Sequence, residues 1–226
     1  MTRAFVVGNG PSLANTPLDK LIGEVSFATN RIHLIYPKTK WRPSYYIRAE
    51  EAFGLEDAVW MDDLLAQLSL PDTIIYCNQY FIKHMEGHLH GVGVRERVMR
   101  LKACTHYTYH FDRVECPHTW HEGLCTFGSS VNVAVQMAVQ MGFAPIYLIG
   151  CDLGYRDDKP SHFTSEYINV PDSNLRGARY ANMDTLAAHM IAKRSSPVPI
   201  YNATLGGSLE VYPRVDFMEL FDDQSK

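Results

Sequence analysis

A basic surplus is missing from this chain. Its 226 residues carry 21 Lys and Arg against 25 Asp and Glu, a formal net charge of −4. Nothing in that balance draws the protein to the polyanionic backbone of DNA or RNA, so nucleic acid is not an expected partner. Long apolar runs are missing too. None approaches the length needed to cross a bilayer, so no transmembrane segment is expected. The start, "MTRAFVVGNGPSL", has an apolar run too short for the core of a secretory leader, which makes a cytoplasmic protein the expectation. Paired cysteines are also scarce: there are five, an odd number, and no C-x-x-C. Free thiols are the expected state in a cytosolic chain. Repeats, low-complexity tracts and linkers do not occur.

What remains is ordinary globular material, 46% hydrophobic and 20% charged, enough for one sizeable core. Short apolar runs alternate with helical spacing. "AFVVG", "EVSFATN", "SYYIRAE", "DTIIYCN", "PIYLIGCD" and "VPIYNAT" read as strands. "GLEDAVWMDDLLAQLSL", "SSVNVAVQMAVQMG" and "YANMDTLAAHMIAKR" read as helices, and "SLANTPLDKLIG" as wholly or partly helical. The second of these helices is apolar on nearly every side and belongs deep in a domain. Strands that are continuously apolar and alternate with helices predict a mostly parallel sheet covered on both faces. The expected fold is α/β: a single Rossmann-like, doubly wound domain over 1–226. Residues 78–125 hold seven of the ten histidines and little periodicity, and are expected to form a cap or insertion.

In such sheets ligands bind outside the carboxyl ends of the strands. Gly8-Asn9-Gly10-Pro11-Ser12 falls at the end of the first strand. Glycine permits a tight turn and close approach of a ligand, and Pro11 suits a first helical turn. The N–H groups that follow, from Ser12 on, are expected to face an anion. The pattern is neither G-x-G-x-x-G nor a P-loop. Other strand ends add polar groups. Asn30 can bond a base or ribose, Ser129 and Ser130 open the buried helix as a second anion seat, and Asp152 ends "PIYLIGCD". Asn202, Thr204, Gly206, Gly207 and Ser208 follow the last strand. Several such ends on one edge predict a nucleotide crevice. His84/His88, His106/His110 and Cys116, His118, His121, Cys125 have spacings that can bind Zn²⁺, but no standard finger spacing is met and no metal is expected.

"VVGNGPSL", "FATNRIHL", "GSSVNVAVQMAVQMGFAPIYLIGCDLGY" and "PIYNATLGGSLEVYPRVDF" resemble the 6-hydroxymethylpterin diphosphokinase MptE-like family. The same blocks are similar to the Campylobacter-type sialyltransferases of glycosyltransferase family 42. That resemblance implies a transferase that uses a nucleotide sugar, most simply a CMP-sugar, in surface-glycan synthesis. It needs no metal, takes a small-molecule or glycan acceptor, and often works as a homo-oligomer. Gly8, Asn9, Gly10 and Asn30 would then bind nucleotide, with Ser129 and Ser130 at the central helix. The family's catalytic histidine falls on Arg179, ahead of a matching Asn182 and Asp184. Arginine cannot act as a base at neutral pH, but it can grip a phosphate, and Tyr155 would help steady the leaving group. His162 is then the candidate base. The diphosphokinase resemblance implies instead ATP with Mg²⁺, with Asp152, Asp157 and Asp158 as candidate holders and Asp152 the best placed. The arginine also leaves open a nucleotide-binding module without turnover.

Overall fold

The computed structural model describes residues 1–49, 57–90, 93–101, 103–104, 124–125, 129–156, 158–167 and 178–225. At 57–60, 79, 84, 103–104, 125, 178–181, 184 and 223–225 it describes the backbone alone. The strands are β1 (Ala4–Val7), β2 (Val25–Thr29), β3 (Tyr45–Arg48), β4 (Ile74–Cys77), β5 (Val98–Arg100), β6 (Ala103–Cys104), β7 (Leu124–Cys125), β8 (Ile146–Ile149) and β9 (Ile200–Asn202). The α-helices are α1 (Asp57–Leu68), α2 (Gln79–His84), α3 (Ser130–Gln140) and α4 (Ala178–Ser195). Seven strands form one all-parallel sheet in the order β5-β4-β3-β2-β1-β8-β9, and β6 pairs with β7 apart from it. This is the α/β, Rossmann-like architecture expected from the sequence.

An interior strand, β1, shows why both faces must be covered. In β1 all four residues are buried. Phe5 and Val7 enter a core with Leu13, Ile35, Trp41 and Leu64, while Ala4 and Val6 enter the opposite core with Val133, Val135 and Met137 of α3. Alternation along one strand thus feeds two layers. α3 runs through the second layer with residues buried around most of its circumference. Its N-cap is Ser129, whose side chain accepts from the Asn132 N–H, and Gly142 follows its end at φ +83°.

The segment after β1 is not one helix. It forms two short 3-10 turns, Pro11–Asn15 and Leu18–Leu21. Pro11 occupies the first-turn position, as expected, and Pro17 separates the two turns because it has no N–H to continue the ladder. Within residues 78–125, β5 joins the main sheet beside β4, and Asn78 caps the start of α2, its side chain accepting from the Phe81 N–H.

Candidate functional site

The chain leaves β1 toward β2 on one side and returns as β8 on the other. Between the carboxyl ends of β1 and β8 the connections therefore diverge and leave a crevice. A cleft of about 250 Å³ lies there. Its lining comes from the turns after β1, β2 and β8, the start of α3, residues 160–162 and Tyr167, and one face of α4. Gly8, Asn9, Gly10, Asn30, Ser129, Ser130, Asp152, Tyr155 and His162 all line it, so residues scattered over 155 positions converge on one rim.

The floor is backbone packed on backbone. Gly8 N–H donates to the Ile149 carbonyl and Gly10 N–H to that of Gly150, each at 2.8 Å. A Cβ at Gly8 would lie 2.6 Å from the Gly150 oxygen, and one at Gly10 only 2.8 Å from the same atom. Gly8→Ala must therefore part the ends of β1 and β8. The expected cost is about 1–3 kcal/mol. Thermal unfolding should show it as a melting point lowered by roughly 3–10 °C for a domain of this size. Gly87→Ala, where a Cβ meets nothing within 4 Å, should leave the melting point unchanged.

Ser12 lies behind this floor. Its N–H and hydroxyl donate to the two oxygens of Asp152, at 3.0 and 2.8 Å. The negative group held by this turn is thus the protein's own carboxylate. Burial pushes the Asp152 carboxyl above its ordinary range, and the Ser12 bonds pull it partly back. Ser208 N–H closes on the Asp152 carbonyl at 2.6 Å, which ties the loop after β9 to the same point.

The walls present acceptors. Asn9 is oriented by its Nδ2, which donates to the Thr29 carbonyl at 3.0 Å and the Thr29 hydroxyl at 3.3 Å. Its Oδ1 is buried and has no partner among the described residues, and neither has Oδ1 of Asn30. Asn30 sits at φ 51°, a left-handed conformation that asparagine tolerates better than most residues. Tyr155 is tied down through its backbone: its N–H donates to Asn182 Oδ1 at 2.7 Å and its carbonyl accepts from Asn182 Nδ2 at 2.8 Å. That clamp explains what Asn182 does. His162 stacks on Tyr167, ring centroids 3.7 Å apart and 6° from parallel. Burial pushes its imidazole pKa down to about 4, so it is neutral at physiological pH. The segment carrying both rings is held by Phe163 N–H on the Asn9 carbonyl, and by Arg31 on the Glu166 and Tyr167 carbonyls.

The sequence did not single out Thr185, His189, Tyr212 or Arg31. Thr185 and His189 are one helical turn apart and line the cleft from α4. A histidine among the apolar residues of "TLAAHMIA", one turn after a threonine, was the available signal. Tyr212 stands behind His189. Arg179 lies in the first turn of α4, where the backbone alone is described. Asp157, Cys116, His106, His110, His118 and His121 lie outside the described residues. Asp158 pairs with Arg156 at 2.7 Å on the surface. Among the described residues no three His, Cys, Asp or Glu side chains come together as a metal site. No helix among them is long and apolar enough to cross a membrane.

No family model matches the sequence, and no curated protein matches it. Among solved structures, the MAf glycosyltransferase of Magnetospirillum magneticum AMB-1 aligns with all of this chain at a TM-score of 0.58 and 15% identity. The chain spans 34% of that protein's length. The sialyltransferase CstII of Campylobacter jejuni, solved with the substrate analogue cytidine-5'-monophosphate, aligns with 95% of this chain and 85% of its own at a TM-score of 0.52 and 13% identity. At such identities the likeness is one of fold: this chain has the sheet and helix arrangement found in both glycosyltransferases.

Proposed function

We propose that the protein is a glycosyltransferase that uses a nucleotide sugar, a CMP-sugar in the first instance, and passes the sugar to a small-molecule or glycan acceptor in surface-glycan synthesis. The observation that carries this reading is the pair of buried acceptors, Asn9 Oδ1 and Asn30 Oδ1, which have no partner among the described residues and lie at the ends of adjacent strands in the switch-point cleft. A buried acceptor without a donor is costly, and a ligand bearing ribose hydroxyls or an exocyclic amine removes that cost. The bare backbone at Gly8 and Gly10 lets such a ligand approach the floor. The Ser129 hydroxyl, whose oxygen already receives the Asn132 N–H, is left to donate to a phosphate oxygen. Tyr155 and, by its place in the sequence, Arg179 would steady the leaving phosphate. The proton acceptor would be a histidine of the cleft, for which the sequence offers His162.

The alternatives make different demands. A pterin diphosphokinase needs carboxylates free to hold Mg²⁺ on ATP. Here Ser12 engages both oxygens of Asp152, and Asp158 is turned to Arg156. A binding module without turnover would show affinity alone. Thermal unfolding with CMP, CMP-sialic acid, ATP with Mg²⁺, and pterin separates these readings. CMP at a hundred times its Kd should stabilise the protein by about 2.7 kcal/mol, seen as a rise of roughly 5–10 °C. Asn30→Ala should reduce that rise. Stabilisation by ATP with Mg²⁺ and none by CMP would sink the transferase reading. Stabilisation by CMP with no transfer or hydrolysis of CMP-sugars would leave the module.

A further inference from the structure

We propose that His189, held in one tautomer by Tyr212, is the group in this cleft that takes the proton from the acceptor hydroxyl. The proposal rests on the transferase reading and names its base.

His189 is 2% exposed and lines the cleft from α4. Its Nδ1 lies 3.2 Å from the Tyr212 hydroxyl, and that hydroxyl donates to the carbonyl oxygen of His189 at 3.0 Å. A phenol has one proton to give. Spent on the carbonyl, it leaves the oxygen to accept, so Nδ1 carries the imidazole proton. Nε2 then holds a lone pair, with no partner among the described residues, on a ring whose other side is turned to Tyr212. Most buried side-chain nitrogens are hydrogen-bonded, so a lone pair left open at the cleft is available to a ligand.

His162 differs. Its Nδ1 is buried without a partner among the described residues, so nothing there fixes its tautomer, and its face is committed to the Tyr167 stack. It suits a wall against which a sugar or base lies. His189 is also distinct from Arg179, the position the family resemblance gives to a histidine, and it sits further along the same helix.

Burial holds the His189 imidazole neutral, with its pKa pushed down to about 4. Among the described residues, the titratable groups around it are Tyr212 with Cys151 behind, and Asp152, Tyr155, His162 and Tyr167 in the cleft. A nucleotide phosphate adds negative charge beside it and raises its proton affinity, so donor binding would switch the base on. In the step, Nε2 takes the hydroxyl proton as the acceptor oxygen bonds to the anomeric carbon. The anomeric C–O bond to phosphate breaks, and its electron pair leaves on the nucleoside monophosphate.

Long-range ¹H–¹⁵N correlation on ¹⁵N-histidine protein reads the tautomer directly. His189 should appear protonated on Nδ1, Tyr212→Phe should shift it toward the Nε2–H form, and saturating CMP should raise its titration midpoint by about one pH unit or more. His189→Asn keeps a donor for Tyr212 and removes Nε2. It should lower kcat for CMP-sugar turnover about 10²–10⁴-fold, with the CMP Kd within about twofold of wild type. Tyr212→Phe, a positioning change, should lower kcat with KM unchanged and move the acid limb of the pH profile. Wild type that binds CMP but carries the proton on Nε2, or His189→Asn with wild-type turnover, overturns the base assignment alone. Wild type that binds no CMP overturns the transferase reading and the assignment with it. CMP binding without turnover leaves the module reading and also removes the assignment.

Discussion

Arg31→Leu should lower the free energy of unfolding by about 3–5 kcal/mol, the range for stripping one partner from a buried ion pair. Arg31 follows β2 and is 7% exposed, and Asp63 of α1 is fully buried. The guanidinium Nε donates to Asp63 Oδ1 at 3.2 Å, while one terminal nitrogen donates to the carbonyls of Glu166 and Tyr167 at 3.0 and 2.6 Å. Burial pushes the Asp63 carboxyl up to about 6, against the pull of Arg31. Without Arg31 the carboxylate has no counter-charge at Oδ1, and its Oδ2 already lacks a partner among the described residues. Urea unfolding at pH 7.5 reads the loss. The double variant Arg31→Leu with Asp63→Leu should recover much of it, since an apolar pair of similar volume removes the stranded charge. A single variant as stable as wild type, or a double variant no better than Arg31→Leu, would refute this account.

The same change reaches the cleft. Arg31 grips the segment whose Tyr167 ring carries His162, so removing it frees one wall while the glycine floor stays in place. CMP affinity should then fall by more than stability alone explains. Measuring Kd well below the variant's melting point separates the two effects. The tether thus links α1, the end of β2 and the cleft wall through one side chain.

How far the sequence could be read follows from what each element is made of. β1 and β8 are unbroken apolar runs, as buried parallel strands must be, and α3 is apolar nearly all round. β5 gave no such signal, because an edge strand with Met99 and Arg100 exposed shows neither a run nor alternation. α2 has six residues, too few for a helical period, and only the Asn78 cap marks it. The rim residues were legible for another reason: in a parallel sheet every strand end faces the same edge, so the strand pattern alone places Gly8, Asn30 and Asp152 together. His189 with Tyr212, and Arg31 with Tyr167, were not. Those pairs are 23 and 136 residues apart and join through loops whose course no local pattern fixes.

Unfolding free energy should fall steeply as the pH drops from about 6.5 toward 4. Burial pulls the pKa of His162 and His189 down to about 4. In the unfolded chain both return to the ordinary histidine value, near 6.5. Between those limits the unfolded state binds two protons that the folded state refuses. Their contribution is therefore complete above pH 6.5 and is lost as the pH falls through about 4. Each sets a slope of about 1.4 kcal/mol per pH unit, so a drop of two units removes about 5 kcal/mol, a large part of a usual domain's stability. Asp63 works the other way. Its pKa is raised to about 6, so its contribution is full below the ordinary aspartate value and lost as the pH rises through 6. His33 lies 3.4 Å from it and is pushed down to about 4 by burial and then by Arg31, so these two neighbours largely offset each other. Urea unfolding from pH 7.5 to 5 gives the slope. His189→Asn and His162→Gln should each remove about half of it, and the pair should leave the profile nearly flat. The slope belongs to the folded chain alone, so it should appear whether or not any nucleotide binds. If His189→Asn keeps the full wild-type slope, that ring is charged or open to water in the native protein, and Nε2 is not the neutral lone pair assigned to it.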